Sequence, residues 1–106
     1  MDIAKLNNLN GAIVATPGNC GGSPRIKGTR MTVRFVVGLY KAGNEPEIIA
    51  VRYRNVSLAG IFAALAFYFA NRDVLDIEFR KEEEEELALE RADRERIFSK
   101  RLEHAV

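Results

Sequence analysis

Ser57-Leu58-Ala59-Gly60-Ile61-Phe62-Ala63-Ala64-Leu65-Ala66-Phe67-Tyr68-Phe69-Ala70 is the stretch on which the fold turns. Ser57 is a good helix N-cap, and the apolar run behind it predicts a helix from Leu58 to about Asn71. At helical spacing Leu58, Ile61, Phe62, Leu65 and Phe69 form one apolar face. Ala59, Gly60, Ala63, Ala64, Phe67 and Ala70 form a second, built mostly of small side chains. A helix apolar all round is buried all round, and a domain of about 70 residues rarely covers both faces by itself. The second face is therefore expected to pack on a second copy of the chain or on the tail, which predicts a homodimer. The stretch contains no Arg, Lys, Asn or Gln, the side chains that read base edges in the major groove.

Working outward, two shorter helices precede it. Thr32 caps the first, Val33 to Ala42, whose Val33, Val36, Leu39 and Tyr40 share a face, and Gly43 ends it in a left-handed conformation. Asn44 or Glu45 caps the second, Pro46 fits its first turn, and Ile48, Ile49, Val51 and Tyr53 supply apolar contacts before Asn55 breaks it. A short helix, a tight connection and a longer helix make the outline of a helix-turn-helix. Ahead of them, Arg25 to Thr32 alternates basic with apolar or small residues around Gly28, which permits a tight turn, with Ile26 and Met31 expected to point inward. Residues 16–24 are a turn-dense loop, Ile13-Val14-Ala15 suffices for one edge strand, and residues 1–12 read as a loosely held arm. The fold class is thus mainly α: a three-helix core of helix-turn-helix outline over residues 13–72, with a short N-terminal β segment and a long C-terminal helical tail over 73–106.

Charge divides the chain at the same place. Met1 to Arg72 carries nine basic and three acidic side chains; Asp73 to Val106 carries seven basic and twelve acidic, leaving +1 overall. The basic part is suited to a polyanion and the acidic tail to a basic protein surface. Asp73 to Phe79 alternates in a way a strand also satisfies, but the Glu, Leu, Ala and Arg that follow favour helix. Glu82 to Glu86 repels itself, Glu90 and Arg94 stand at i,i+4, and Leu87, Leu89, Ile97, Phe98 and Leu102 form a stripe too broken for a strict heptad coiled coil.

The 106 residues, 47% hydrophobic and 29% charged, make one domain with material for a single core and argue against wholesale disorder. One cysteine fits a reducing, cytoplasmic setting, and the longest apolar run falls short of a membrane span. Catalytic residues are not evident. His104 is the only histidine and lies near the chain end, while Cys20 stands among glycines with no companion for a zinc site. Those glycines match neither a P-loop nor a dinucleotide fingerprint, and the acidic run lacks the pattern of a calcium loop. The expectation is a protein without catalysis, cofactor or metal. Arg25, Lys27, Arg30 and Arg34 crowd within ten residues on a loop feeding a helix, which suits phosphate binding.

The segment Cys20-Gly21-Gly22-Ser23-Pro24-Arg25-Ile26-Lys27-Gly28-Thr29-Arg30-Met31-Thr32-Val33 resembles the opening signature of the domain-of-unknown-function family 433. The likeness continues through Ala42-Gly43, Pro46-Glu47-Ile48-Ile49, and the Ser57-Leu58 opening of the Ala-rich helix, covering about residues 13 to 72. It implies a small homeodomain-like domain and the role of a bacterial antitoxin similar to VapB-type antitoxins, in which one segment binds operator DNA and another the toxin. Two features depart from the pattern: Arg52-Tyr53-Arg54-Asn55 replaces a commonly acidic stretch, and the tail is long and glutamate-rich. On this reading Arg25, Lys27, Arg30, Arg34, Arg52, Arg54 and Ser57 are the expected DNA contacts. Ala59, Gly60, Ala63, Ala64, Phe67, Leu87, Phe98 and Leu102 are the expected dimer or partner contacts, and the tail is expected to bind a cognate toxin. The alternative is a homodimeric protein-interaction module that does not bind DNA.

Overall fold

The computed structural model describes residues 11–16, 18 and 22–104. Most of the expected N-terminal arm, and Cys20, lie outside them. The elements run β1 (Ile13–Val14), β2 (Arg25–Ile26), α1 (Val33–Lys41), α2 (Pro46–Arg52), α3 (Leu58–Ala70) and α4 (Arg72–His104). The chain divides into two compact units, Met1–Val74 and Leu75–Val106.

In the first unit β1 and β2 pair antiparallel, with Ile13 opposite Ile26 and Val14 opposite Arg25. Both isoleucines are buried, so the two-residue ladder is held by its inner face. The chain then reverses over Gly28, whose φ of 79° admits glycine readily. Thr29 braces this reversal twice: its hydroxyl donates to the Ile26 carbonyl at 2.9 Å and accepts from the Met31 N–H at 3.0 Å. Thr32 Oγ1 accepts from the Phe35 N–H at 3.1 Å and so starts α1, and the Val33 N–H reaches back to the Pro24 carbonyl at 2.9 Å.

Helix α1 buries Val33, Val36 and Val37. Leu39 is only half-buried and Tyr40 is exposed, so the buried stripe is rotated from the expected one towards Val37. At its carboxyl end Gly43 takes φ 99°, and the Asn44 backbone and side-chain N–H groups both donate to the Leu39 carbonyl at 3.0 Å. Asn44 therefore closes α1. Glu45 holds the N-cap position of α2 without a side-chain bond, and Pro46 occupies the first turn. Of the apolar residues expected to pack from α2, Ile49 alone is fully buried. Ile48 and Val51 are exposed because seven residues give barely two turns and one inward face.

Helix α3 is the centre of the unit and packs on α1, α2 and both strands. Ser57 Oγ accepts from the Gly60 N–H at 3.0 Å. Ile61, Ala64, Leu65, Phe67 and Tyr68 line its buried arc, while Leu58, Ala59, Phe62, Ala66, Phe69 and Ala70 are exposed. Lys41 Nζ stands 5.1 Å from the Tyr68 ring centroid, a cation–π contact joining the end of α1 to α3.

The second unit is the greater part of α4, one unbroken helix where the sequence also admitted a strand at its start. Every described residue from Glu83 to His104 is exposed. Among the described residues no single helix is long and apolar enough to cross a membrane.

Candidate nucleic-acid interface

The basic residues expected to meet phosphate sit on β2, its turn and the helix ends around it. Arg25 is on β2, Lys27 and Arg30 are on the following turn, Arg34 is in the first turn of α1, Arg52 ends α2, and Arg54 is in the connection to α3. Lys27, Arg30, Arg52 and Arg54 are exposed, whereas Arg25 and Arg34 are half-buried.

The groups are not equally placed for a ligand. Arg25 Nη1 donates to Thr16 Oγ1 at 3.2 Å, and Arg52 Nη1 donates to Asn44 Oδ1 at 3.2 Å. Arg52 thus ties the carboxyl end of α2 to the α1–α2 corner. Arg30 stands at a surface concavity of about 370 Å³, lined also by Met31, Thr32, Phe35, Tyr53 and Asn55. The turn after β2, the start of α1 and the α2–α3 connection meet there. Phe35 and Tyr53 make its aromatic wall, packed edge to face with centroids 5.5 Å apart and planes at 90°. Arg54 lies between two of the lining residues, Tyr53 and Asn55.

Phe35, Tyr53 and Asn55 were not foreseen at the site. A Phe three residues beyond the N-cap Thr32 and a Tyr just past α2 offer the signal, since aromatic side chains at two helix ends are free of the main core. Ser57 is engaged as the cap of α3, and its hydroxyl proton is left to donate outward.

The expected interface on α3 needs correcting. Ala64 and Phe67 are inside the unit's own core, at 0% and 2% exposure. A Cβ on Gly60 would stand 2.9 Å from Ile26 Cγ2, so Gly60 serves the approach of α3 to β2. Ala63 is half-buried, and Ala59 is exposed, as is Ala70 at the end of the same face. The outward arc carries Leu58, Phe62, Ala66 and Phe69 instead, with Tyr40 of α1 edge-on to Phe69 at 6.2 Å. Leu87, Phe98 and Leu102 on α4 are exposed. No cluster of three or more metal-ligating side chains occurs among the described residues, and His104 is exposed in the last turn of α4.

The comparisons bear on this same region. The family model "Protein of unknown function (DUF433)" matches residues 13–68, which take in both strands, the concavity and most of α3. The chain belongs to the DUF433 family. It is also similar to the crystal structure of a DUF433 member protein from Anabaena variabilis ATCC 29413, at 30% identity and a TM-score of 0.59. That likeness covers 65% of this chain and 68% of the other. No curated protein matches. The DUF433 match ends before α4, so the glutamate-rich helix is an addition to the family's matched region.

Proposed function

We propose that this DUF433 chain is an antitoxin-like DNA-binding regulator of a bacterial toxin–antitoxin pair, dimeric, cytoplasmic and without catalysis. In this reading α2, the connection Tyr53–Ser57 and α3 act as a homeodomain-like helix-turn-helix. The observation that carries it is the concavity where Arg30 and the Arg54 connection meet over Phe35 and Tyr53, in a segment with few acidic residues. Lys27 and Arg34 widen the positive field, and Ser57 offers a hydroxyl at the amino end of α3, where the helix dipole favours phosphate. The first turn of α3 presents Leu58 and Ala59, so its contribution is phosphate positioning rather than base reading. The acidic stretch Glu82–Glu86 is the surface offered to a basic toxin.

A gel-shift titration on the chain's own upstream DNA at two salt concentrations tests the claim. Binding should weaken steeply with salt, and Arg30→Ala with Arg54→Ala should lower the slope of log K against log salt by about two. No shift at either salt ends the DNA-binding reading. The exposed arc of Leu58, Phe62, Ala66 and Phe69 favours a second reading, a homodimeric protein-interaction module that leaves DNA alone. Partner binding that survives the two arginine substitutions, with no DNA shift, is its signature.

A further inference from the structure

Phosphate recognition needs cations and N–H donors, yet the concavity beside Arg30 is walled by two aromatic rings. Phe35 is 44% exposed, in the first turn of a helix whose buried residues are all valine. Tyr53 stands half-buried against it. The backbone under both rings is anchored. Thr32 Oγ1 accepts from the Phe35 N–H at 3.1 Å, and the Ile49 carbonyl accepts from the Tyr53 N–H at 2.9 Å. The Val56 N–H donates to the Tyr53 carbonyl at 3.1 Å, closing a turn that buries Val56 and leaves Arg54 and Asn55 exposed. The lining thus combines a guanidinium, two perpendicular rings and a primary amide, and it includes no carboxylate.

We infer that this concavity seats one unstacked nucleobase of a single-stranded nucleic acid, with the adjoining phosphate on Arg30. It rests on the nucleic-acid reading above for that phosphate contact and for nothing else. A base inside a duplex presents its edges while its faces are covered by its neighbours, so aromatic rings gain nothing from it. A base out of the stack offers its face, and stacking on aromatic side chains is how proteins hold single strands. Perpendicular rings suit this ligand, because a base lying parallel to one ring can meet the other edge to face. Asn55 sets a donor and an acceptor on one amide beside the rings, a pair that complements the edge of adenine. Charge selects an anionic ligand. Residues 1–72 hold nine basic and three acidic side chains, and Arg34 and Arg54 are the chain neighbours of Phe35 and Tyr53. Helix α3, with no base-reading side chain, leaves contact with bases to this concavity.

Fluorescence anisotropy of the full chain with short labelled oligoadenylates tests this. The probes are single-stranded DNA, single-stranded RNA, the DNA duplex with oligothymidylate, and a DNA strand of equal length whose sugars carry no bases. The base-bearing single strands should bind about tenfold or more tighter than the abasic strand. Phe35→Leu with Tyr53→Leu keeps apolar bulk at the corner and should remove most of that difference, whereas Tyr53→Phe should keep it. Arg30→Ala should weaken base-bearing and abasic strands alike. Asn55→Ala, in an exposed turn, should lower the preference for oligoadenylate over single-stranded oligothymidylate. Ring-sensitive binding of either single strand supports the base seat, and the tighter of DNA and RNA names its source. The same result with no binding of the duplex keeps the base seat and ends the helix-turn-helix reading. Equal affinity of unsubstituted chain for base-bearing and abasic strands overturns the base seat and leaves phosphate binding in place. A duplex bound more tightly than the single strands, and indifferent to the ring substitutions, overturns the base seat and favours operator binding. No binding of any probe overturns both.

Discussion

Helices α3 and α4 meet the same difficulty from opposite sides. α3 is apolar on every face, α4 is charged on nearly every face, and neither has the apolar-against-polar contrast that orients a surface helix. In α3 the contrast is supplied by neighbours. α1, α2 and the strands cover one arc, and the other is left facing outward with Leu58, Phe62 and Phe69 on it. In α4 the backbone is held by residues of good helix propensity and by charges at i,i+3 and i,i+4, such as Arg96 to Asp93 at 3.1 Å. Burial stabilises the first helix, and many small local terms stabilise the second.

The sharpest way to break this contrast is to make the same kind of truncation in both. Phe67→Ala should cost about 3–5 kcal/mol in urea unfolding, since it empties a site in the core. Leu89→Ala, exposed on α4, should stay within about 0.5 kcal/mol. Similar losses at the two sites would show that α4 is packed as α3 is. A smaller effect probes where α3 touches the sheet. Gly60→Ala gains up to about 1 kcal/mol of helix propensity, yet its methyl meets the buried, branched Ile26, and a net loss of about 1–2 kcal/mol should follow. A stabilised variant would mean that Ile26 moves aside freely. The least effect is expected for Arg96→Ala, at most about 0.5 kcal/mol and vanishing in high salt, because the pair with Asp93 is two-thirds exposed. Circular dichroism of the helix signal against salt reads this last case.

What could be read from the sequence followed the range of the physics involved. Thr32, Gly43, Pro46 and Ser57 mark helix ends through bonds and dihedrals made within a few residues, and the helix boundaries stand where those residues put them. The arcs of α3 were not legible, because a helix without polar residues gives no sign of which side its neighbours take. Hence the spacing groups Ala64 and Phe67 with the partner-facing side although both lie in the unit's own core, and groups the exposed Leu58, Phe62 and Phe69 with the buried Ile61 and Leu65. The site divides in the same way. Its arginines stand out as charges in a run, whereas Phe35, Tyr53 and Asn55 become its wall only when three separate segments converge.

Thr29 gives the basic turn a property that charge alone does not. With its hydroxyl bonded both ways inside the loop, Arg30 is mounted on a frame already fixed before any ligand arrives. In the proposed phosphate-binding role, little chain freedom is lost on contact, because the backbone that carries the guanidinium needs no rearrangement. The threonine acts in the proposed phosphate complex without touching the ligand.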